Sequence, residues 1–65
     1  MEILLGEIMH KKNLTVRQVS MLTGIPRSTI SDILSDRTSP RMETIEQLAA
    51  GLKVHITDLF ESPYK

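Results

Sequence analysis

LTVRQVSMLTGIPRSTISDILS, residues Leu14 to Ser35, holds two short helical patterns joined at Thr23-Gly24-Ile25-Pro26. Val19 and Leu22 supply the inward side of the first, with the small Ser20 between them to let another helix approach closely. Thr15 is a good N-cap for it, and Gln18 follows at the capping-box spacing. Gly24 stops that helix by allowing a left-handed backbone. Pro26 stands at the boundary of the second pattern, with φ already suited to a helix. The second pattern keeps Ile30, Ile33 and Leu34 for its apolar side and opens on Arg27-Ser28-Thr29, basic and hydroxyl side chains. A short helix whose first exposed residues can hydrogen-bond, held at an angle by a preceding helix, suits the major groove of DNA.

The flanking sequence also reads as helix. Leu5, Ile8 and Met9 recur at helical spacing and predict a helix over residues 2–12, weakened by Gly6 and ended at Asn13. Lys11 and Lys12 fall in its last turn, where they favour the helix dipole. Residues 35–40, Ser-Asp-Arg-Thr-Ser-Pro, break the periodicity as a polar loop, with Asp36 suited to a left-handed position. Met42, Ile45, Leu48, Ala49 and Leu52 then give the clearest amphipathic stripe in the chain and predict a helix over 42–51, with Gly51 off its apolar face near the end. Val54, Ile56, Leu59 and Phe60 predict a last short helix over 55–60, leaving 61–65 as a tail. No segment alternates convincingly with period two.

Sixty-five residues allow one domain, and a chain this short is marginal without a well-packed aliphatic core or a partner subunit. There is no cysteine, and His10 and His55 lie far apart in sequence, so no metal site and no cofactor is expected. The scarcity of aromatic residues argues against a base-stacking surface for single strands. Glu2 precedes the short apolar run Ile3-Leu4-Leu5, which lacks the basic flank of a secretion signal, and no apolar run approaches the ~20 residues of a membrane span. A cytoplasmic protein with no membrane partner is expected. Net charge is zero, but its distribution is uneven. Between His10 and Arg41, six basic residues (Lys11, Lys12, Arg17, Arg27, Arg37, Arg41) stand against Asp32 and Asp36, a net charge of +4, while both ends are acidic.

Five short helices with this spacing resemble the phage repressor and Cro type of helix-turn-helix domain, the XRE family. The resemblance covers about residues 5–60. It rests on Leu14-Thr15, Val19-Ser20, Gly24-Ile25, Arg27-Ser28-Thr29-Ile30-Ser31, Ile33, Ser39-Pro40, Glu43-Thr44-Ile45, Leu48-Ala49 and Leu52 through Phe60. It implies an all-α fold, a compact five-helix lambda-repressor-like DNA-binding domain over residues 1–65. The chain departs from the family pattern at Val16, where Gln is common, at Pro26 and Arg41, where helix-capping residues are common, and at Asp36, where Gly is common.

By the same resemblance the base-reading residues are Arg27, Ser28, Ser31 and Asp32. Arg27 can pair with guanine or hold a phosphate; Asp32 can accept from cytosine or orient a basic neighbour such as Arg27. Phosphate contacts are expected from the first-turn N–H groups of Val16 and Arg17 and from the side chains of Thr15, Arg17, Gln18, Thr29, Ser35, Arg37 and Arg41. For Thr15 and Gln18 helix capping is the stronger claim on the same atoms.

One such helix reads only a few base pairs, so the expected assembly is a homodimer on a palindromic operator in double-stranded DNA, with half-sites about 34–36 Å apart. Ile56, Leu59, Phe60 and Tyr64 are the candidates for the two-fold contact; closure of the monomer core is the competing role for Ile56 and Leu59. The expected function is transcriptional regulation, with repression as the default. The alternative is an antitoxin or protein-interaction adaptor that keeps the fold and binds a partner protein. No nucleophile, general base or Gly-rich phosphate loop supports an enzyme.

Overall fold

Four residues with positive φ set the punctuation of the fold. Asn13 (φ 54°), Gly24 (77°) and Lys53 (57°) end three of the helices, and Asp36 (56°) turns the loop that follows another. The computed structural model describes residues 1–65. Its helices are α1 (Leu5–Lys12), α2 (Val16–Thr23), α3 (Arg27–Leu34) and α4 (Met42–Leu52). A 3-10 turn, Ile56–Asp58, follows α4, and two short strands, β1 (Glu2–Ile3) and β2 (Phe60–Glu61), pair antiparallel with Ile3 opposite Phe60 and Glu2 opposite Glu61.

The molecule is thus mostly helical, with four α-helices rather than five and a small strand pair added. The helix expected over 2–12 begins only at Leu5, because Glu2 and Ile3 are engaged by the chain's other end. Leu4 continues that engagement: its N–H donates to the Leu59 carbonyl at 2.8 Å, while its own carbonyl accepts from Ile8 as α1 starts. The helix expected over 55–60 shrinks to one 3-10 turn, opened where His55 N–H donates to the Asp58 carboxylate at 3.0 Å. Phe60 and Glu61 then extend into β2, so the expected tail begins one residue later. Two-residue strands carry no alternation that a sequence can display.

Twelve aliphatic side chains form one core: Leu5, Ile8, Met9, Val19, Ile25, Ile30, Ile33, Ile45, Leu48, Ala49, Leu52 and Leu59. α1, α3 and α4 contribute at helical spacing, α2 contributes Val19, and Ile25 and Leu59 come from the connections. Three residues assigned to apolar faces lie outside the core. Leu22 is 53% exposed, Met42 57% and Leu34 38%, each at the margin of its helix's buried stripe. Gly51 is the reverse case. Placed off the apolar face by its spacing, it is the point where α4 meets the end of α2. A Cβ there would lie 2.7 Å from the Leu22 carbonyl oxygen. Its bare backbone permits that crossing. No helix is long and apolar enough to cross a membrane.

Candidate nucleic-acid interface

The N-terminus of α2 is fixed by a reciprocal cap. Thr15 N–H donates to Gln18 Oε1 at 2.8 Å, and Gln18 N–H donates to Thr15 Oγ1 at 3.2 Å. The cap leaves the first-turn N–H groups of Val16 and Arg17 with no intrahelical acceptor, as at any helix start, so they remain donors for an anion. The cap uses Gln18 Oε1 and Thr15 Oγ1 as acceptors, leaving the Gln18 Nε2 and the Thr15 hydroxyl proton as donors. Arg17 is exposed and Val16 is half-buried against the core.

α3 follows after a turn of three residues. Pro26 is its N-cap, and the Pro26 carbonyl accepts from both Thr29 and Ile30 at 3.1 Å. Ile30 and Ile33 are buried and hold the helix down. That fixes the opposite face. Arg27, Ser28, Ser31 and Ser35 are exposed and Asp32 is half-buried, at spacings of one and four residues that place them on one side of α3. The fold therefore brings the four expected base-reading residues onto a single face. Arg27 and Asp32 are not joined: the one side-chain ion pair in the protein is Lys65 with Glu61, at 3.8 Å. The guanidinium of Arg27 is uncommitted.

Thr29 leaves that face. With Ile33, Thr38, Ser39, Pro40, Arg41 and Thr44 it lines a shallow, largely polar concavity between α3 and the start of α4. Arg41 occupies the N-cap position of α4 without capping it through its side chain. Its guanidinium has no ion-pair partner in the protein, and the first-turn amides of α4 have no intrahelical acceptors. Arg37 is exposed on the loop leading to this concavity. Thr38, Ser39 and Thr44 escaped the sequence reading. Their signal was a hydroxyl-rich loop running into a helix start that lacks a side-chain cap.

The residues considered for a two-fold contact separate by burial. Leu59 is fully buried and offers no surface to a partner; Ile56 is half-buried and packs on the core. Phe60 is half-buried on β2, with the Lys65 ammonium 5.8 Å from its ring centroid. Tyr64 is 96% exposed.

Comparison with known proteins agrees with this arrangement. A family model described as helix-turn-helix matches residues 5–59, spanning all four helices and the 3-10 turn. The chain is 31% identical over 61 residues to the HTH-type transcriptional regulator PuuR of Escherichia coli (strain K12), and equally to the protein of that name from Shigella flexneri. The match takes in 94% of this chain and 33% of either relative, so the chain spans about a third of their length. No solved structure matches. With α2 and α3 crossing through a Gly24 turn and the match running from α1 to Leu59, the chain belongs to the XRE-type helix-turn-helix family.

Proposed function

We propose that this chain is a sequence-specific, double-stranded-DNA-binding transcriptional regulator acting as a repressor in the cytoplasm. The observation that carries this reading is the exposed face of α3, where Arg27, Ser28, Ser31 and Asp32 stand together above the buried Ile30 and Ile33. In this reading α3 enters the major groove. Arg27 donates bidentately to guanine, worth roughly 1–3 kcal/mol of discrimination, and Asp32 accepts from cytosine N4. The hydroxyls of Ser28 and Ser31 serve either donors or acceptors on the base edges. Phosphates flank the helix on two sides. Val16 and Arg17 hold one through the α2 amides and the Arg17 side chain; Thr29, Ser35, Arg37 and Arg41 hold another beside the α3–α4 concavity. The similarity to the PuuR proteins, which are HTH-type transcriptional regulators, supports the same reading.

A homodimer completes it, with two α3 helices reading successive major grooves of a palindrome. Phe60, Ile56 and Tyr64 form the contact in this proposal, and Leu59 is withdrawn from it because the core consumes it. Selection of bound duplex from a random pool tests the function. The expected product is an inverted repeat whose half-sites lie about one helical turn apart. A pool that stays random after several rounds overturns the proposal. A promoter fusion carrying the selected site then reads the sign of regulation.

A further inference from the structure

We propose that Ser20 and Thr23 are positioning residues that clamp the α2–α3 turn through Ile25 and so set the angle at which α3 is presented. Ile25 lies between the helices and is only 4% exposed. Its backbone groups need partners, since a buried N–H or C=O left without one is costly. Both partners are side chains of α2. Ser20 Oγ donates to the Ile25 carbonyl at 2.6 Å, and Ile25 N–H donates to Thr23 Oγ1 at 3.2 Å. Thr23 Oγ1 in turn donates its proton to the Val19 carbonyl at 2.7 Å. A hydroxyl has one proton and two lone pairs, so Thr23 fills both roles at once.

The next residue, Pro26, has no N–H, so the clamp ends where α3 begins. Thr23 also meets α4: its Cγ2 lies 2.6 Å from where a Cβ on Gly51 would stand. The two hydroxyls, both on α2, are the parts of the device that packing alone would not require.

The consequence for DNA rests on the proposed function; the clamp itself does not. Ser20→Ala and Thr23→Val each remove a hydroxyl and nearly conserve volume. The expected result is a fall of about tenfold in the ratio of affinity for a selected site to affinity for random duplex, the scale of one lost base contact. Affinity for random duplex stays within about twofold of the parent, because that binding rests on charge and carries no sequence information. Thr23→Ser keeps the oxygen and restores the ratio. A DNA-free measurement accompanies these: backbone residual dipolar couplings, which report the orientation of α3 relative to α2, and hydrogen exchange at the Ile25 amide. Changed couplings and faster exchange at Ile25 than at core amides support the clamp. Unchanged couplings in both hydroxyl-deleted variants overturn it. So does an equal loss of selected and random binding in step with the unfolded fraction, which marks the hydroxyls as merely stabilising. Should the parent chain select no sequence, the functional reading fails while the couplings still decide the clamp. If one variant does not fold, the other decides.

Discussion

Thr23 occupies the space that a side chain on Gly51 would need. A Cβ on Gly51 would lie 2.6 Å from Thr23 Cγ2 and 2.9 Å from Thr23 Cα. The second distance matters more, because a side chain can rotate away and a backbone cannot. Gly51→Ala gains about 1 kcal/mol of helix propensity. Against that stands overpacking of a helix crossing, typically 1–3 kcal/mol. The backbone contact puts this site at the upper end, so the net expectation is a loss of about 1–2 kcal/mol. For a domain this small that lowers Tm by roughly 7–15 °C. A thermal melt followed by circular dichroism checks it. An unchanged or raised Tm shows that α4 shifts freely and that the crossing is loose.

Lys53 ends α4 with φ at 57° and ψ at 48°, its N–H donating to the Ala49 carbonyl. A side chain in that region costs about 1–2 kcal/mol, of which glycine's extra unfolded-state entropy returns part. Lys53→Gly therefore raises stability by about 0.5–1 kcal/mol. Gly24→Ala is the mirror experiment. No heavy atom lies within 4 Å of the added Cβ, so its cost is the left-handed backbone alone, about 1 kcal/mol. Urea titrations of the two variants should move the midpoint in opposite directions.

Much of this was written in the sequence, and the exceptions have physical causes. The Thr15–Gln18 cap, the Gly24 stop and the left-handed Asn13 and Asp36 follow from local chemistry, which a short window of residues contains. The polar face of α3 was legible because burying Ile30 and Ile33 leaves Arg27, Ser28 and Ser31 no other direction. What could not be read depends on contacts between distant residues. The pairing of Ile3 with Phe60 joins the two ends of the chain, and two-residue strands leave no periodic trace. The role of Gly51 lies in how closely α2 crosses it. Lys53 takes a left-handed position that its residue type does not favour, closing the end of α4 with the Lys53 and Val54 N–H groups on the Ala49 carbonyl. The Ser20–Ile25–Thr23 bonds join residues that are near in sequence, yet a small residue in an apolar stripe reads only as space.

Leu59 and Phe60 are neighbours with different expected roles. Leu59 is fully buried, and its replacement by Ala removes core volume, costing about 2–5 kcal/mol. That loss belongs to the monomer and is the same at every protein concentration. Phe60→Ala is expected to act on association: Tm becomes less dependent on concentration, because linkage to the dimer is weakened. Melts at two concentrations a hundredfold apart separate the cases. If Phe60→Ala shifts Tm equally at both, the ring serves only the strand pair, and the proposed two-fold contact moves elsewhere.

In the proposed interface Arg27 serves readout and Arg41 serves attachment. Arg27 is exposed on the reading face of α3 and is not paired with Asp32; Arg41 stands at the start of α4 beside Thr38, Ser39 and Thr44. If Arg27 meets guanine, Arg27→Ala costs about 1–3 kcal/mol on the selected site and relaxes preference at one base position. The same change costs little on random duplex. If Arg41 meets phosphate, Arg41→Ala weakens selected and random duplex about equally. It also reduces the slope of log affinity against log salt by about one, because one fewer counterion is released. Titrations of both variants on selected and random duplex, at two salt concentrations, resolve the division. Equal sequence dependence in the two variants would sink it. A loss of salt slope in Arg27→Ala, with base preference intact, would instead place that guanidinium on the backbone and leave discrimination to Ser28, Ser31 and Asp32.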